Sequence, residues 1–476
     1  MEQNSSKKRL WVGLAIFFFL LLAGGIIWYF FGGTKAGDDA QNLFPFGAPS
    51  EGGDTRTNAD TDRHEIGGEE GGGEGAEAER LFRQLANVPI AGAYALERGG
   101  EQYVRYIERE TGHAYEVPIE SGESRQLTVT TIPRVAIADW ADNGNAVVLR
   151  YLEEEQYTGR EIIKTNLGRL PVDSASVAAS AKEASKTRAD LSSSSASSSS
   201  LENPDAVGVG MGDFAGTLTI EFLPDNIVAL SVADDGKDLF YLLKKGGETS
   251  GSIVNLSTRV TKEVFRHSFS EWTPQLLNDD TIILTTKPSG AVPGFSYLYD
   301  PRTKALTRLV REKDGLTTFG NSTGSRLLFG ENIAGNTTLN AYNSKGFAGD
   351  EGTVFHEQSL PLATLPEKCA WLKDGVRVLC GAFITTPRGI PDLWYQGSFF
   401  FDDTFWSVDV DSGEISYLAD PKEEVGQAFD IINPMLSKND AYFIFINKRD
   451  SMLWALRILQ KTPPTDLSPE ELPATN

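Results

Sequence analysis

Apolar positions fall into three regimes along the 476 residues. The first is one uninterrupted run from Leu10 to Phe31, twenty-two positions without a charge. At about 1.5 Å per residue it would reach about 33 Å, enough for a hydrocarbon core of about 30 Å. Trp11 stands at one end and Trp28 with Tyr29 at the other, where amphipathic rings favour a membrane interface. Lys7, Lys8 and Arg9 precede the run, whereas Lys35 is soon followed by Asp38 and Asp39. The positive-inside rule then predicts a single-pass anchor in the cytoplasmic membrane, with residues 1–9 as a cytoplasmic stub and the rest of the chain extracytoplasmic. A cleaved signal peptide would carry a shorter apolar stretch, of about 7–15 residues. The second regime, residues 32–79, has hardly any apolar residues. From Ala36 to Glu79 it carries twelve acidic and two basic residues among many glycines. Such a tract cannot bury enough apolar surface to offset its ordering entropy, so it reads as a disordered spacer.

The third regime, residues 80–461, consists of short β-branched and aromatic runs such as QYVRYIE, TIILTTK and AYFIFIN, each too short for a helix. Turn residues punctuate them at Gly99-Gly100, Asn143-Gly144, Asp235-Gly236, Asn278-Asp279-Asp280, Thr323-Gly324, Asp374-Gly375 and Asn439-Asp440. Positions 99, 143, 235, 279, 323, 374 and 439 are spaced by 44, 92, 44, 44, 51 and 65 residues. A second series of turns, near Glu120, Asn255, Asp300, Asn343 and Asp411, follows the first about half a period later, with the longest interval after Asp374. A period of about 40–45 residues with four short strands per unit is the signature of a β-propeller. The first series is assigned to the turns between strands A and B, the second to those between strands C and D. Seven A–B turns predict an all-β, seven-bladed propeller, with six blades as the alternative. No fourth strand follows SMLWALRI, and the chain ends in a polar, Pro-rich tail, residues 462–476. Residues just before Val88 are therefore expected to close the ring.

This periodicity resembles that of WD40-like and TolB-like propeller repeats across residues 88–460. The Trp-Asp dipeptide of WD40 repeats does not recur. The segments EKCAWLKDGVRVLC and PDLWYQG, with the N-terminal apolar run, also look like an uncharacterised group of membrane-tethered propellers from small-genome bacteria. That resemblance implies a layout and no activity.

Two insertions interrupt the period. Residues 171–213, rich in Ser, fall between strands C and D of blade two. Residues 383–403 fall between strands B and C of blade six and carry Trp394, Tyr395, Gln396, Phe399 and Phe400. In an up-and-down blade, A–B and C–D turns share one rim and B–C and D–A loops the other, so the insertions should lie on opposite rims. Aromatic anchors mark binding surfaces, and these five residues are the candidate contact for a partner or ligand. The alternative is a loop folded onto its own blade as a satellite hydrophobic cluster.

Cys369 and Cys380 flank Asp374-Gly375 symmetrically. A two-residue hairpin centred there would set them opposite one another, about 4.5–5.5 Å apart at Cα. That permits a disulfide, which an extracytoplasmic location favours. Two buried thiols are the other reading.

Composition narrows the function. The net charge of −22 argues against nucleic acid as a partner. Two cysteines and four dispersed histidines suggest no metal site. Gly320-Asn-Ser-Thr-Gly324 matches G-x-S-x-G, yet it lies on a repeat turn between strands, which is not the setting of a nucleophile elbow. Asp409-Val-Asp411 lacks the ligand spacing of a calcium loop. No catalytic residue and no cofactor is assigned. The expectation is a membrane-tethered binding or assembly platform whose partner is an envelope protein or surface ligand. The alternative is an envelope carbohydrate- or peptide-processing enzyme, with paired carboxylates at a channel mouth.

Overall fold

A computed structural model describes residues 81–171, 215–278, 280–343, 356–384 and 388–458. The span expected at Leu10–Phe31, the spacer, residues 172–213 of the Ser-rich insertion and the tail lie outside them. Among the described residues no helix is long and apolar enough to cross a membrane.

The described chain forms seven antiparallel four-stranded sheets. Blade one comprises Ile90–Arg98, Glu101–Glu108, Ala114–Pro118 and Arg125–Gln126. Blade two comprises Ile137–Ala141, Ala146–Glu154, Glu161–Arg169 and Thr219–Phe222. Blade three comprises Ile227–Val232, Asp238–Lys245, Glu248–Asn255 and Thr261–His267. Blade four comprises Trp272–Asn278, Thr281–Thr286, Pro293–Asp300 and Ala305–Asp314. Blade five comprises Thr317–Gly320, Arg326–Ile333, Asn336–Asn343 and His356–Leu360. Blade six comprises Cys369–Trp371, Arg377–Ala382, Thr404–Asp409 and Ile415–Ala419. Blade seven comprises Ile431–Leu436, Tyr442–Asn447, Leu453–Arg457 and, as its fourth strand, Phe82–Ala86. The A strands follow one another around the ring, with Thr317–Gly320 of blade five meeting Pro366–Lys368 just before the A strand of blade six, and the ring closes with Ile431–Leu436 against Ile90–Arg98.

Each sheet is sandwiched between two others, so its second strand is apolar on both faces. Ile282, Ile283 and Leu284, Leu327 to Phe329, and Phe443 to Phe445 are completely buried. These are the continuous runs that read as strands. Outer strands such as Ala305–Asp314 are mostly exposed and polar.

The A–B turns explain the repeat. In blade six the Leu372 N–H donates to the Arg377 carbonyl, and the Gly375 N–H donates back to the Leu372 carbonyl, both at 2.9 Å. The connection therefore has four residues, not the two the hairpin reading assumed. Gly375 takes the left-handed conformation at φ 64°, which glycine adopts without a Cβ penalty. Blades three and five repeat the pattern at Ala233–Asp238 and Asn321–Arg326. Blade seven uses Asp440 at φ 56° instead of glycine. The loop is longer but centred on the same point, so Cys369 still faces Cys380. Their Cα atoms are 4.1 Å apart and their sulfurs are bonded.

The ring is closed by pairing Phe82 with Leu456 and Gln84 with Trp454. Phe82 drives this strand home. It is buried and packs edge-on against Phe405 at 5.2 Å and Phe429 at 5.6 Å. Phe82→Ala should lower unfolding stability by about 3–5 kcal/mol in urea titrations. A loss below about 1 kcal/mol would mean that this strand does not hold the ring.

Candidate functional site

The two rims of the ring differ, and the difference starts with the blade-six insertion. Its helical turn, Asp392–Tyr395, follows Pro391. The Asp392 carboxylate accepts from the backbone N–H of Gly290 in blade four at 2.6 Å, and Asn332 of blade five donates to the Ile390 carbonyl at 2.9 Å. Phe383 and Phe401 stack at 3.8 Å where the insertion leaves and rejoins its blade. The segment thus lies across blades four to six, and Trp394 carries it on to blade seven.

Trp394 is fully buried, and its indole N–H donates to both oxygens of Asp430 at 3.0 Å. Asp430 stands just before the A strand of blade seven. Lys368, just before the A strand of blade six, donates to Asp430 and to Asp403, each at 2.5 Å. All three charged side chains are completely buried. Lys448 lies 4.3 Å over the Trp394 ring and donates to the Trp394 carbonyl. Two ammonium groups and two carboxylates thus balance, as buried charges must. Burial would lower the Lys368 ammonium, but the carboxylates of Asp403 and Asp430 outweigh it and raise it above the ordinary value. Burial pushes the Asp403 carboxyl up to about 6, against the pull of Lys368. Burial lowers Lys448 to about 8, with Asp430 opposing and Lys368 reinforcing the shift. Nearby, the Tyr395 hydroxyl donates to Glu367. Burial raises both groups, Tyr395 well above its ordinary value.

Of the five residues expected to meet a partner, Trp394, Tyr395 and Phe399 are therefore committed to internal packing. Gln396 and Phe400 remain exposed. The insertion folds onto its own molecule, not as a satellite cluster on its own blade but as part of the core, and as a latch it links blades four to seven.

The opposite rim holds an open cavity of about 690 Å³. Tyr94, Leu96, Glu97 and Arg98 from the first strand of blade one line it, with Arg105 from the second. Asp142, Asn143 and Asn145 from the A–B turn of blade two, Leu170 and Pro171 from the base of the Ser-rich insertion, and Lys438 from the A–B turn of blade seven complete it. The blade-two turn has a special backbone. Asp142, Asn143 and Gly144 have φ of 48°, 53° and 82°. A Cβ on Gly144 would sit 2.8 Å from the Tyr94 ring, so only glycine fits.

Behind the cavity one carboxylate serves three arginines. Glu116 is buried and accepts from Arg98 at 2.6 Å, Arg105 at 2.9 Å and Arg125 at 3.2 Å. Burial alone would raise its pKa, but Arg105 and Arg98 outweigh burial and hold it below the ordinary value. Arg105 also donates to the Gly144 carbonyl at 2.7 Å and to Asn145 at 3.0 Å, tying blade one to the blade-two turn. Lys438 lies 4.6 Å over the Tyr94 ring and donates to its hydroxyl at 3.1 Å. Glu97 and Asp142 supply carboxylates to the same cavity. Among the described residues no group of three or more His, Cys, Asp or Glu could hold a metal ion.

The sequence reading passed over these residues. The available signal was a charge inside an apolar run: Arg105 in QYVRYIE, Lys368 before CAW, Asp430 in AFDII.

No protein-family model matches this chain, and no curated protein does. Among solved structures it is similar to the Cps50 β-propeller domain of Myceliophteria thermophila, with 8% identity, TM-score 0.45, and coverage of 80% of this chain and all of that one. It is also similar to an oligogalacturonate lyase from Vibrio parahaemolyticus, with 9% identity, TM-score 0.44, and coverage of 80% and 94%. For TolB from Acinetobacter baumannii the values are 10%, 0.36, and 77% and 79%. The likeness is one of fold, which the seven sheets themselves establish.

The latch has a pH signature. Lys448 sheds its proton near pH 8 in the fold and near about 10.4 in the unfolded chain. Between those values the unfolded chain binds more protons, so stability rises with pH. Stability measured by urea titration from pH 8 to 10 should carry a rise of about 2–3 kcal/mol from this group, and Lys448→Met should remove it. An unchanged slope in the variant would show that Lys448 titrates normally.

Proposed function

We propose that this chain is a membrane-tethered, extracytoplasmic propeller that works as a binding platform in the cell envelope, presenting the A–B rim to its partner. The observation that carries this reading is the asymmetry of the rims. Over blades four to seven the B–C rim is covered by the insertion, whereas among the described residues the A–B rim keeps an open cavity with polar and charged walls. Ligand sites are concave and hold a few convergent polar groups. A rigid ring of blades holds such loops in fixed relation. The apolar run Leu10–Phe31 and the acidic spacer supply the tether in this reading.

A photo-crosslinking amino acid at Asn143, in cells producing the full chain, tests the assignment. It should capture a defined envelope component, and Leu96→Trp, which fills the cavity, should abolish capture. The same probe at Gln396 on the other rim should capture nothing comparable. Equal capture at both positions, or capture indifferent to Leu96→Trp, would overturn the choice of rim. A C-terminal tag protected from external protease in intact, wall-stripped cells would overturn the extracytoplasmic placement.

A further inference from the structure

We propose that the B–C rim over blades two to six rests on the bilayer surface with its apolar loop tips inserted among the lipids, an inference that rests on the membrane tether of the preceding reading. The exposed large apolar side chains are not spread evenly over the ring. Six stand on the B–C rim: Tyr157, Val292 and Ile333 at the B–C turns of blades two, four and five, Phe269 between blades three and four, and Ile384 and Phe400 in the blade-six insertion. Their exposure runs from 37% at Phe400 to 94% at Tyr157, so they are free to enter another phase. Three more, Val129, Phe222 and Tyr417, lie on or beside outer strands. On the A–B rim only Val260 and Leu306 compare among the described residues. Scattered apolar side chains are ordinary, but a concentration on one face marks an interaction surface.

Two observations favour lipid over a protein partner. The first is the form of the surface. The tips project from loops of several blades instead of lining one groove, whereas protein partners seat their anchors in packed pockets. A broad and yielding surface meets all of them at once. The tips are also held in fixed relation. The insertion is tied to blades four and five by Asp392 on the Gly290 N–H at 2.6 Å and by Asn332 on the Ile390 carbonyl at 2.9 Å. Phe269 is propped by Trp272, whose indole N–H donates to its carbonyl at 2.9 Å and whose ring meets it edge-on at 4.8 Å. Little ordering cost is then left for insertion. The second observation is that the chain brings a bilayer with it. The chain enters blade seven at Phe82, on the A–B rim. Residues 32–79, as a Gly-rich coil, would span about 35–40 Å on average and about 160 Å at full extension. Blades with nine-residue strands such as Ala146–Glu154 are only about 30 Å tall. The spacer therefore reaches round the ring, and the short tether raises the effective lipid concentration at the rim, so weak insertions add up. A chain carrying −22 gains no general attraction to anionic headgroups, so apolar burial carries the contact. This placement turns the A–B cavity away from the bilayer.

The test uses the full chain reconstituted into phosphatidylcholine–phosphatidylglycerol vesicles, with an environment-sensitive fluorophore on one introduced cysteine: Ile384→Cys or Ile333→Cys on the B–C rim, Leu306→Cys on the other. The two native cysteines are bonded to each other and take no label. Flotation through alkaline carbonate first shows whether the chain is anchored. Interfacial insertion reaches about 5–10 Å into the headgroup and acyl boundary, so lipid with a shallow acyl-chain spin label should quench the fluorophore at 384 and at 333 about twofold or more and leave that at 306 unquenched. Quenching should persist from about 50 to about 500 mM salt, because apolar burial is not screened. Val292→Ser with Phe400→Ser, both on exposed side chains, should bring quenching at 384 down toward the level at 306 with the melting temperature unchanged. If the chain floats but 384 and 333 are quenched no more than 306, the inference is overturned and the tether stands. If the chain does not float, the tether falls and the inference with it. Quenching lost at high salt would replace insertion by headgroup attraction and overturn the inference. Protection of the 384 fluorophore from aqueous iodide in native envelopes, but not in these vesicles, would assign the rim to a protein and overturn it as well.

Discussion

The fold depends on one non-local pairing, that of Phe82–Ala86 with Leu453–Arg457. Blade seven would otherwise end as a three-stranded sheet with an open edge, and an unpaired edge exposes a row of backbone donors and acceptors. The pairing joins segments some 370 residues apart in sequence, so its loop-closure cost is met only after the other blades have formed. Phe82 compensates by entering an aromatic cluster with Phe405 and Phe429 that spans blades six and seven. The connection onward from Ala86 then enters blade one, where the Ile90 N–H donates to the Ser451 carbonyl at 2.9 Å. Closure and the start of the repeat are thus one structural event.

A second constraint, the buried charge cluster, acts at right angles to the first. Hydrogen bonds of the sheets hold strands within a blade, whereas Lys368, Asp403, Asp430 and Lys448 act between blades six and seven. Buried ionic groups give little net stability compared with apolar packing, because desolvation offsets much of their attraction. What they supply is geometry: Trp394 fits only where Asp430 can accept its indole N–H. The aromatic stack of Phe383 and Phe401 and the anchors on Gly290 and Asn332 then follow. The same residues that make the insertion look adhesive in sequence are consumed in fixing it.

Much of this architecture was legible in the sequence because it rests on local rules. The A–B turns fall at the punctuating residues; in blades one, two, three, five, six and seven the turn holds at least one residue in the left-handed conformation, which Gly, Asn and Asp adopt most readily. The Cys369–Cys380 register follows from the symmetric centre of its turn, even though that turn is longer than a two-residue hairpin. Closure by residues before Val88 follows from counting strands. The functional surface was not legible in this way. Aromatic content marked Trp394 and Tyr395, but it cannot tell an anchor for a partner from an anchor for the molecule's own core. The Arg105–Glu116 centre joins strands of one blade to the turn of the next, and the Lys368 cluster joins residues up to 80 apart, from Lys368 to Lys448. Only a lone charge within an apolar run betrayed either.

The position of Phe82 opposite Leu456 has a practical side. The two ends of the propeller leave side by side from the outer edge of blade seven, on the rim that carries the open cavity. Chain ends this close are the usual condition for circular permutation: a short linker could join them and new termini be cut elsewhere. An affinity handle or fluorescent domain fused directly before Phe82 or directly after Arg457 would crowd the very rim under study. New ends opened at the B–C turn of blade five, beside exposed Ile333, would move such cargo to the covered rim and leave the cavity clear.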